Sequence, residues 1–218
     1  MSKVVIGAVG LFFALGFCAA AAKESEPPMT KIVTQIFQIN LVGDSVSTSP
    51  KTLYLAGTKY MRLEEEPDKG AGTQQLVVTN EPDSWAINLA DKTGRHVVDE
   101  GPKFDIHAPI FWTSSGQVES DFVDLEFGSE MKFFGGGRAA VLEPRKIDGK
   151  SYKALSIKTG PHEVILFLDQ KTGKPFQIDL HKFGRLVSYV RYLSYQTKLP
   201  FKEPLFLPPK DVQLTEQK

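Results

Sequence analysis

The sequence predicts a mainly β, antiparallel fold with one short helical cover, and three observations lead there. Turn signals recur at strand spacing, apolar residues between them alternate with period two, and one segment alone shifts to helical spacing. The turn signals fall at Gly43-Asp44, Ala56-Gly57, Asp68 to Gly72, Asn80 to Asp83, Asp91 to Gly94, Asp148-Gly149, Thr159 to Pro161, Asp169 to Gly173 and Phe183-Gly184. Short strands at such intervals, without long helical stretches between them, pair as hairpins.

Ahead of the strands, residues 1 to 22 read as an export signal. Lys3 supplies the charge, Val4 to Phe17 the apolar run and Ala20 to Ala22 the small-residue cleavage site. An uncleaved anchor and lipidation at Cys18 are the alternatives, although Phe17 stands where a lipid-attachment box wants a small residue. Residues 23 to 30 read as a linker and 31 to 218 as a single domain. Cleavage would remove the only cysteine and leave 25 basic against 26 acidic residues. A periplasmic location follows as the expectation, and no disulfide can contribute to the fold. Near-neutral charge gives no footprint for nucleic acid. A monomer is expected.

The strands differ in a way that suggests a shape. Val33, Phe37, Ile39 and Leu41 share one parity, as do Trp85, Ile87 and Leu89, so these strands have one buried face. Glu163 to Asp169 is apolar on both parities and should be central, covered on both sides. Between Arg185 and Gln196 the rings of Tyr189, Tyr192 and Tyr195 spread over both faces. In "SDFVDLEFGSEMKFF", Val123, Phe127, Met131 and Phe134 recur at helical spacing, widened by Phe122 and Leu125 and ended by Gly135 to Gly137. The spacing predicts a helix over 120–134 that closes the open face of the sheet, either as filled core or as the roof of an apolar cavity. Ile110, Phe111 and Trp112 form a second candidate lid. The residues expected to face a shared apolar space are Phe37, Ile39, Trp85, Ile87, Leu89, Phe122, Phe127 and Leu166.

Catalytic patterns are scarce. "DGKS" at 148–151 lacks the glycine a phosphate loop needs, because Pro144 stands in its place, and Asp148-Gly149 suits a hairpin turn. Gly70 and Gly72 lack the third glycine of a dinucleotide fingerprint. His96, His107, His162 and His181 have no metal-ligand spacing, and "WTSSG" has Trp112 where a nucleophile elbow needs glycine. Glu64 to Glu66 read as a soluble strand end. A binding protein is expected rather than an enzyme, with neither metal nor cofactor.

The chain's end is unusual: "LPFKEPLFLPPKDVQL" sets four prolines in an otherwise apolar run, which makes a central strand impossible. "YLSYQTKLPFKEPLFLPPKDV" resembles the carboxy-terminal part of the LolA-like lipoprotein-sorting family, with Tyr192, Tyr195, Pro200, Pro204, Phe206, Pro208, Pro209 and Val212 as the matching elements. "TLYLAGTKYMRLEEE" and "SWAINLADKTGRHV" are similar to that family's early hairpins. The resemblance implies an incomplete antiparallel β-barrel, a half-barrel around an apolar cavity closed by short helices. It further implies a carrier of lipid or lipoprotein acyl chains, or an envelope scaffold or sensor that contacts envelope proteins. Arg62 stands at the family's arginine, which would latch the lid. Period-two alternation sets it opposite Met61 and Leu63, so it faces water if those two face the cavity. The strap 199–214 is expected to cover the half-barrel rim with Phe201, Leu205, Phe206 and Leu207.

Overall fold

The computed structural model describes residues 26–39, 45–67, 72–101, 105–111 and 120–217. The reading of residues 1–22 as an export signal, Cys18, Leu41 and Trp112 lie outside the described residues. Thirteen strands form one sheet: β1 (Met29–Ile39), β2 (Ser45–Ser47), β3 (Lys51–Ala56), β4 (Tyr60–Glu65), β5 (Gln75–Asn80), β6 (Asp83–Asn88), β7 (Thr93–Val98), β8 (Ala140–Ile147), β9 (Lys150–Thr159), β10 (His162–Asp169), β11 (Pro175–Lys182), β12 (Arg185–Leu199) and β13 (Gln213–Gln217). Their order is β13-β7-β6-β5-β4-β3-β1-β12-β11-β10-β9-β8, with β2 beside β1. The sheet is open, ending in β13 and β8, and is curved as an incomplete barrel. All pairs are antiparallel except β13 with β7.

β1 joins two meanders, β3 to β7 on one side and β8 to β12 on the other. Tight turns make such meanders possible. Asp148-Gly149 and Phe183-Gly184 have φ of 49° and 78°, and 52° and 74°, the left-handed pair of a two-residue hairpin loop. The phosphate-loop look-alike is therefore a turn. β10 is the doubly covered strand its sequence announces: Val164, Leu166 and Leu168 join the inner core, while Ile165 and Phe167 join an outer cluster with Tyr152 and Ala154.

Over the inner face lies a cover built from 105–111 and 120–139. The sequence predicts one helix over 120–134, and the structure has instead a 3-10 turn at Ser120–Phe122 and a single helical turn, α1 (Glu130–Phe133). Two constraints explain the difference. Gly128 adopts φ of 86°, outside the helical region. The backbone around Phe127 is also committed elsewhere: Ile110 N–H donates to the Leu125 carbonyl (3.0 Å) and Phe127 N–H to that of Ala108 (2.9 Å). The Phe127 N–H, spent on Ala108, is not available to the Val123 carbonyl as a helix ladder would need. Accordingly Val123 and Met131, half of the expected helical stripe, are about half exposed, whereas Phe122 and Leu125 are buried.

The N-terminal boundary shifts too, since β1 begins at Met29 inside the expected linker and pairs at once with Ala56 and Leu199. The C-terminal strap also departs from expectation. It packs on the outer face of the sheet and not across the rim of the inner cavity. Phe206, fully buried in a 3-10 turn at Glu203–Phe206, packs with Met29, Ala56, Tyr54 and Tyr60, and stacks on Phe201 with ring centroids 5.4 Å apart. Leu207 is close to half exposed. Further on, Val212 covers Leu76, Val78 and Ile87, and the prolines give way to β13, an edge strand clasped by ion pairs. His96 meets Glu216 of β13 at 2.9 Å and Asp83 of β6 at 2.7 Å, while Lys92 holds Asp211 at 2.6 Å. Glu216 foremost, and then Asp83, push the His96 imidazole up.

A docked strap has a measurable signature. Phe206→Ala should destabilise the protein by about 3 to 5 kcal/mol, as for a large ring removed from a core. Leu207→Ala should stay within about 0.5 kcal/mol. Urea unfolding of the two variants checks this, and equal small losses would describe a loose tail instead.

Candidate functional site

The inner face carries an apolar pocket of about 350 Å³ between the cover and strands β1, β3, β4 and β5. Pairing register shows how the sequence builds it. Leu55 opposes Met61, Leu53 opposes Leu63, and Lys51 opposes Glu65, so one inner row runs from two aliphatic pairs to an ionic one. Ile32 and Thr34 of β1 flank Leu53 and Lys51, and Val77 of β5 flanks Leu63. Ile36 adds to the wall, and Ala108, Pro109, Ile110 and Phe127 roof it. At the polar end Lys51 Nζ lies 2.6 Å from Glu65 Oε1, with roughly a third or less of each side chain exposed. His107, which also lines the pocket, meets Glu126 at 2.6 Å.

The cover is fixed to the sheet by a buried carboxyl. Glu130 has no exposed surface, and its two oxygens accept from Tyr192 Oη and Tyr195 Oη, each at 2.8 Å. Backbone N–H groups of Glu130 and Gly128 also donate to it. Two tyrosines three residues apart would normally point to opposite faces of a strand. A bulge between Tyr192 and Ser194, with Leu193 left exposed, turns both inward against Thr34 and Ile32. Burial pushes the Glu130 carboxyl above the usual range despite these donors. Burial and the neighbouring carboxyl in turn push both phenols up, so they stay donors. Phe127, whose ring lines the pocket, packs edge-on against Tyr192 at 6.2 Å. The pocket roof and the anchor therefore share a ring contact. A second tie runs from Asp121 to His162 Nδ1 at 2.5 Å.

The residues singled out from sequence divide between the two faces. Phe122, Phe127 and Leu166 lie on the inner side, but only Phe127 lines the pocket; Phe122 and Leu166 are filled core beside it. Trp85, Ile87 and Leu89 belong to the outer cluster under Val212. Phe37 stacks on Tyr189 at 4.5 Å, on the parity opposite Ile36, and Ile39 shares that parity. These five residues do not meet the inner three. Alternation identifies an apolar face without saying which side of the sheet it occupies, and here both sides are covered. Arg62 departs from both of its readings: it lies outside, 14% exposed, with Nη1 donating to the Leu205 carbonyl (3.1 Å) and Nε to Glu64 (2.6 Å). It fastens the strap and not the lid.

Sequence reasoning missed Lys51, Leu53, Glu65 and Glu130. Matching parity across the 51–65 hairpin could have exposed the first three, and Glu130 stands out as the one acid between Phe127 and Phe133. Among the described residues no three His, Asp or Glu side chains gather as a metal would need, and no helix is long and apolar enough to cross a membrane. The four histidines each face a carboxylate, His181 the most distantly at 3.7 Å from Asp179.

Fold and site together define an open, curved β-sheet protein with a roofed apolar pocket. No family model and no curated protein matches the chain. Among solved structures it is similar to an uncharacterized conserved protein from Thermus thermophilus (10% identity, 88% of this chain and 91% of that one, TM-score 0.49). It is also similar to a candidate outer membrane lipoprotein-sorting protein domain from Vibrio parahaemolyticus (13% identity, 82% and 88%, TM-score 0.34). A LolA superfamily protein from Nitrosomonas europaea is a third (12% identity, 83% and 90%, TM-score 0.34). All three scores lie below 0.5, and pocket, anchor and strap are this chain's own contacts.

The anchor predicts a pH dependence. A carboxyl whose pKa is raised by folding holds its proton more tightly in the folded chain, so its contribution favours folding at acid pH and declines as pH rises through the ordinary carboxylate range towards the raised value. Glu130→Gln should remove that decline. Urea midpoints measured from pH 4 to pH 8 for both proteins check it, and parallel profiles would mean that the carboxyl is solvated.

Proposed function

We propose that this protein is an exported binding protein that takes an acyl chain of a lipid or lipoprotein into the inner pocket and carries it without chemistry. The observation that carries the reading is the pocket itself: an aliphatic space at the lower end of the small-ligand range, roofed but not filled. Each methylene withdrawn from water contributes about 0.8 kcal/mol, so burial alone gives useful affinity. The sequence resemblance to the LolA-like family and the export signal read at residues 1 to 22 support the same picture.

A scaffold that recruits protein partners along its sheet edge has less behind it. At one edge, β8 is broken by a register shift between Leu142 and Arg145, with Pro144 inside it, which blunts strand addition. The other edge is β13 itself, only five residues long, and so short a strand offers little to pair with.

Binding is tested with the neutral apolar dye N-phenyl-1-naphthylamine. Its fluorescence should rise on binding the wild type and fall back in Leu63→Trp and Val77→Phe, which fill the pocket from two strands. Dye binding that ignores both substitutions would place the apolar site elsewhere. Export is tested separately by sequencing the amino terminus of protein recovered from the periplasm, which should start at or near Lys23. A retained Met1 would overturn that part of the reading.

A further inference from the structure

The geometry points to a more specific ligand, and this inference rests on the chain-binding reading above: the pocket takes a single-chain amphiphile whose anionic head is held by Lys51 at the polar end. Three observations lead there. The first is size. A pocket of about 350 Å³ lies at the lower end of the range for small-molecule sites, which suits one chain rather than two or three.

The second is polarity. The inner row of the β3–β4 hairpin changes once, from Leu55–Met61 and Leu53–Leu63 to Lys51–Glu65. The other ionisable lining group, His107, is three-quarters exposed and paired with Glu126, so Lys51 is the charge set against the aliphatic wall, which matches a molecule with one tail and one head. A neutral hydrocarbon would leave the ionic end unused, and a ligand charged at both ends would place one charge among aliphatic side chains, at high desolvation cost.

The third concerns which charge can change partners. Lys51 lines the pocket and Glu65 does not, while their side chains are about equally exposed, 27% and 30%. A ligand anion can displace Glu65 from Lys51 without any further charged group having to enter the lining. A cationic head would instead need Glu65, which lies outside the lining, as its partner, and would displace the Lys51 that already lines the pocket. The long stem of lysine lets Nζ follow the incoming head while its methylenes stay against the wall. Thr34, only 5% exposed and opposite Lys51 in register, offers a hydroxyl beside the same end.

The test displaces N-phenyl-1-naphthylamine from the whole protein with dodecanoate, dodecanol and dodecyltrimethylammonium, each below its micelle-forming concentration. A diacyl phosphatidylglycerol and a triacylated lipopeptide are run beside them. Dodecanoate should displace one equivalent of dye, up to about fivefold more tightly than dodecanol, the most expected from a partly exposed ion pair. The cationic amphiphile and the multi-chain lipids should displace poorly. Lys51→Met should close the gap between acid and alcohol and Lys51→Arg should keep it, each gap being read as a ratio within one variant so that any change in its dye affinity cancels. A lipopeptide that displaces as well as dodecanoate, an alcohol equal to the acid, or a gap that survives in Lys51→Met would overturn the inference with chain binding intact. Failure of the dye to bind the wild type would remove the chain-binding reading and this inference with it.

Discussion

The rest of the structure depends on one buried carboxyl meeting two phenols. The cover has little regular structure of its own, a 3-10 turn, one helical turn and a few cross-connections, so its position must come from contacts with the sheet. Apolar contacts between Phe122, Phe133, Phe134 and the strands hold it down but are tolerant of sliding, because the hydrophobic effect has no direction. Glu130 supplies the direction. A carboxyl with no exposed surface is costly unless its oxygens are satisfied, and the satisfying hydroxyls of Tyr192 and Tyr195 exist only at one place on the inner face. That place is set in turn by the bulge at Leu193, without which one tyrosine would point outward. A local irregularity in β12 thus fixes the register of a segment some sixty residues earlier in the chain.

β4 connects this inner architecture with the outer one. Met61 and Leu63 line the pocket, and between them Arg62 reaches the other way to hold the strap through the Leu205 carbonyl. One strand therefore bears the pocket wall and the strap anchor on alternate residues. The strap covers what the curvature of the sheet leaves bare, the outer apolar patch of Leu76, Val78 and Ile87. Proline suits that task, since a preset φ reduces the entropy lost on docking. Once past the prolines the chain can donate N–H groups again, and it takes up the unpaired edge of β7.

How much of this is legible in the sequence follows from what period two can and cannot encode. The open antiparallel sheet, the doubly buried β10 and the hairpin at Asp148-Gly149 rest on local signals, namely alternation and turn chemistry, and all three are present. The side of the sheet on which an apolar row lies is a tertiary fact. Alternation assigns Phe37, Trp85, Ile87 and Leu89 to one cavity with Phe122 because it makes every buried face look alike. The cover departs from expectation for a related reason: the spacing of Val123, Phe127 and Met131 is helical, but the segment's backbone finds partners across the cover and at Gly128 turns away from the helix. Glu130 is marked only by being the one acid between Phe127 and Phe133, and nothing local separates burial from exposure there.

The pocket itself reflects a choice made in the cover. Over β9 to β11 the cover presents Phe122, Leu125, Phe133 and Phe134, and the space beneath is filled. Over β3 to β5 it presents Ala108 and Pro109 beside Ile110 and Phe127, and the space is not. Apolar side chains that face an unfilled space forgo the dispersion contacts that partner atoms would give them, a loss that filling the space would recover. A larger side chain than Ala108 would fill part of that space, so the alanine does not follow from stability. An apolar guest that restores the missing contacts would give a small residue at 108 a physical purpose.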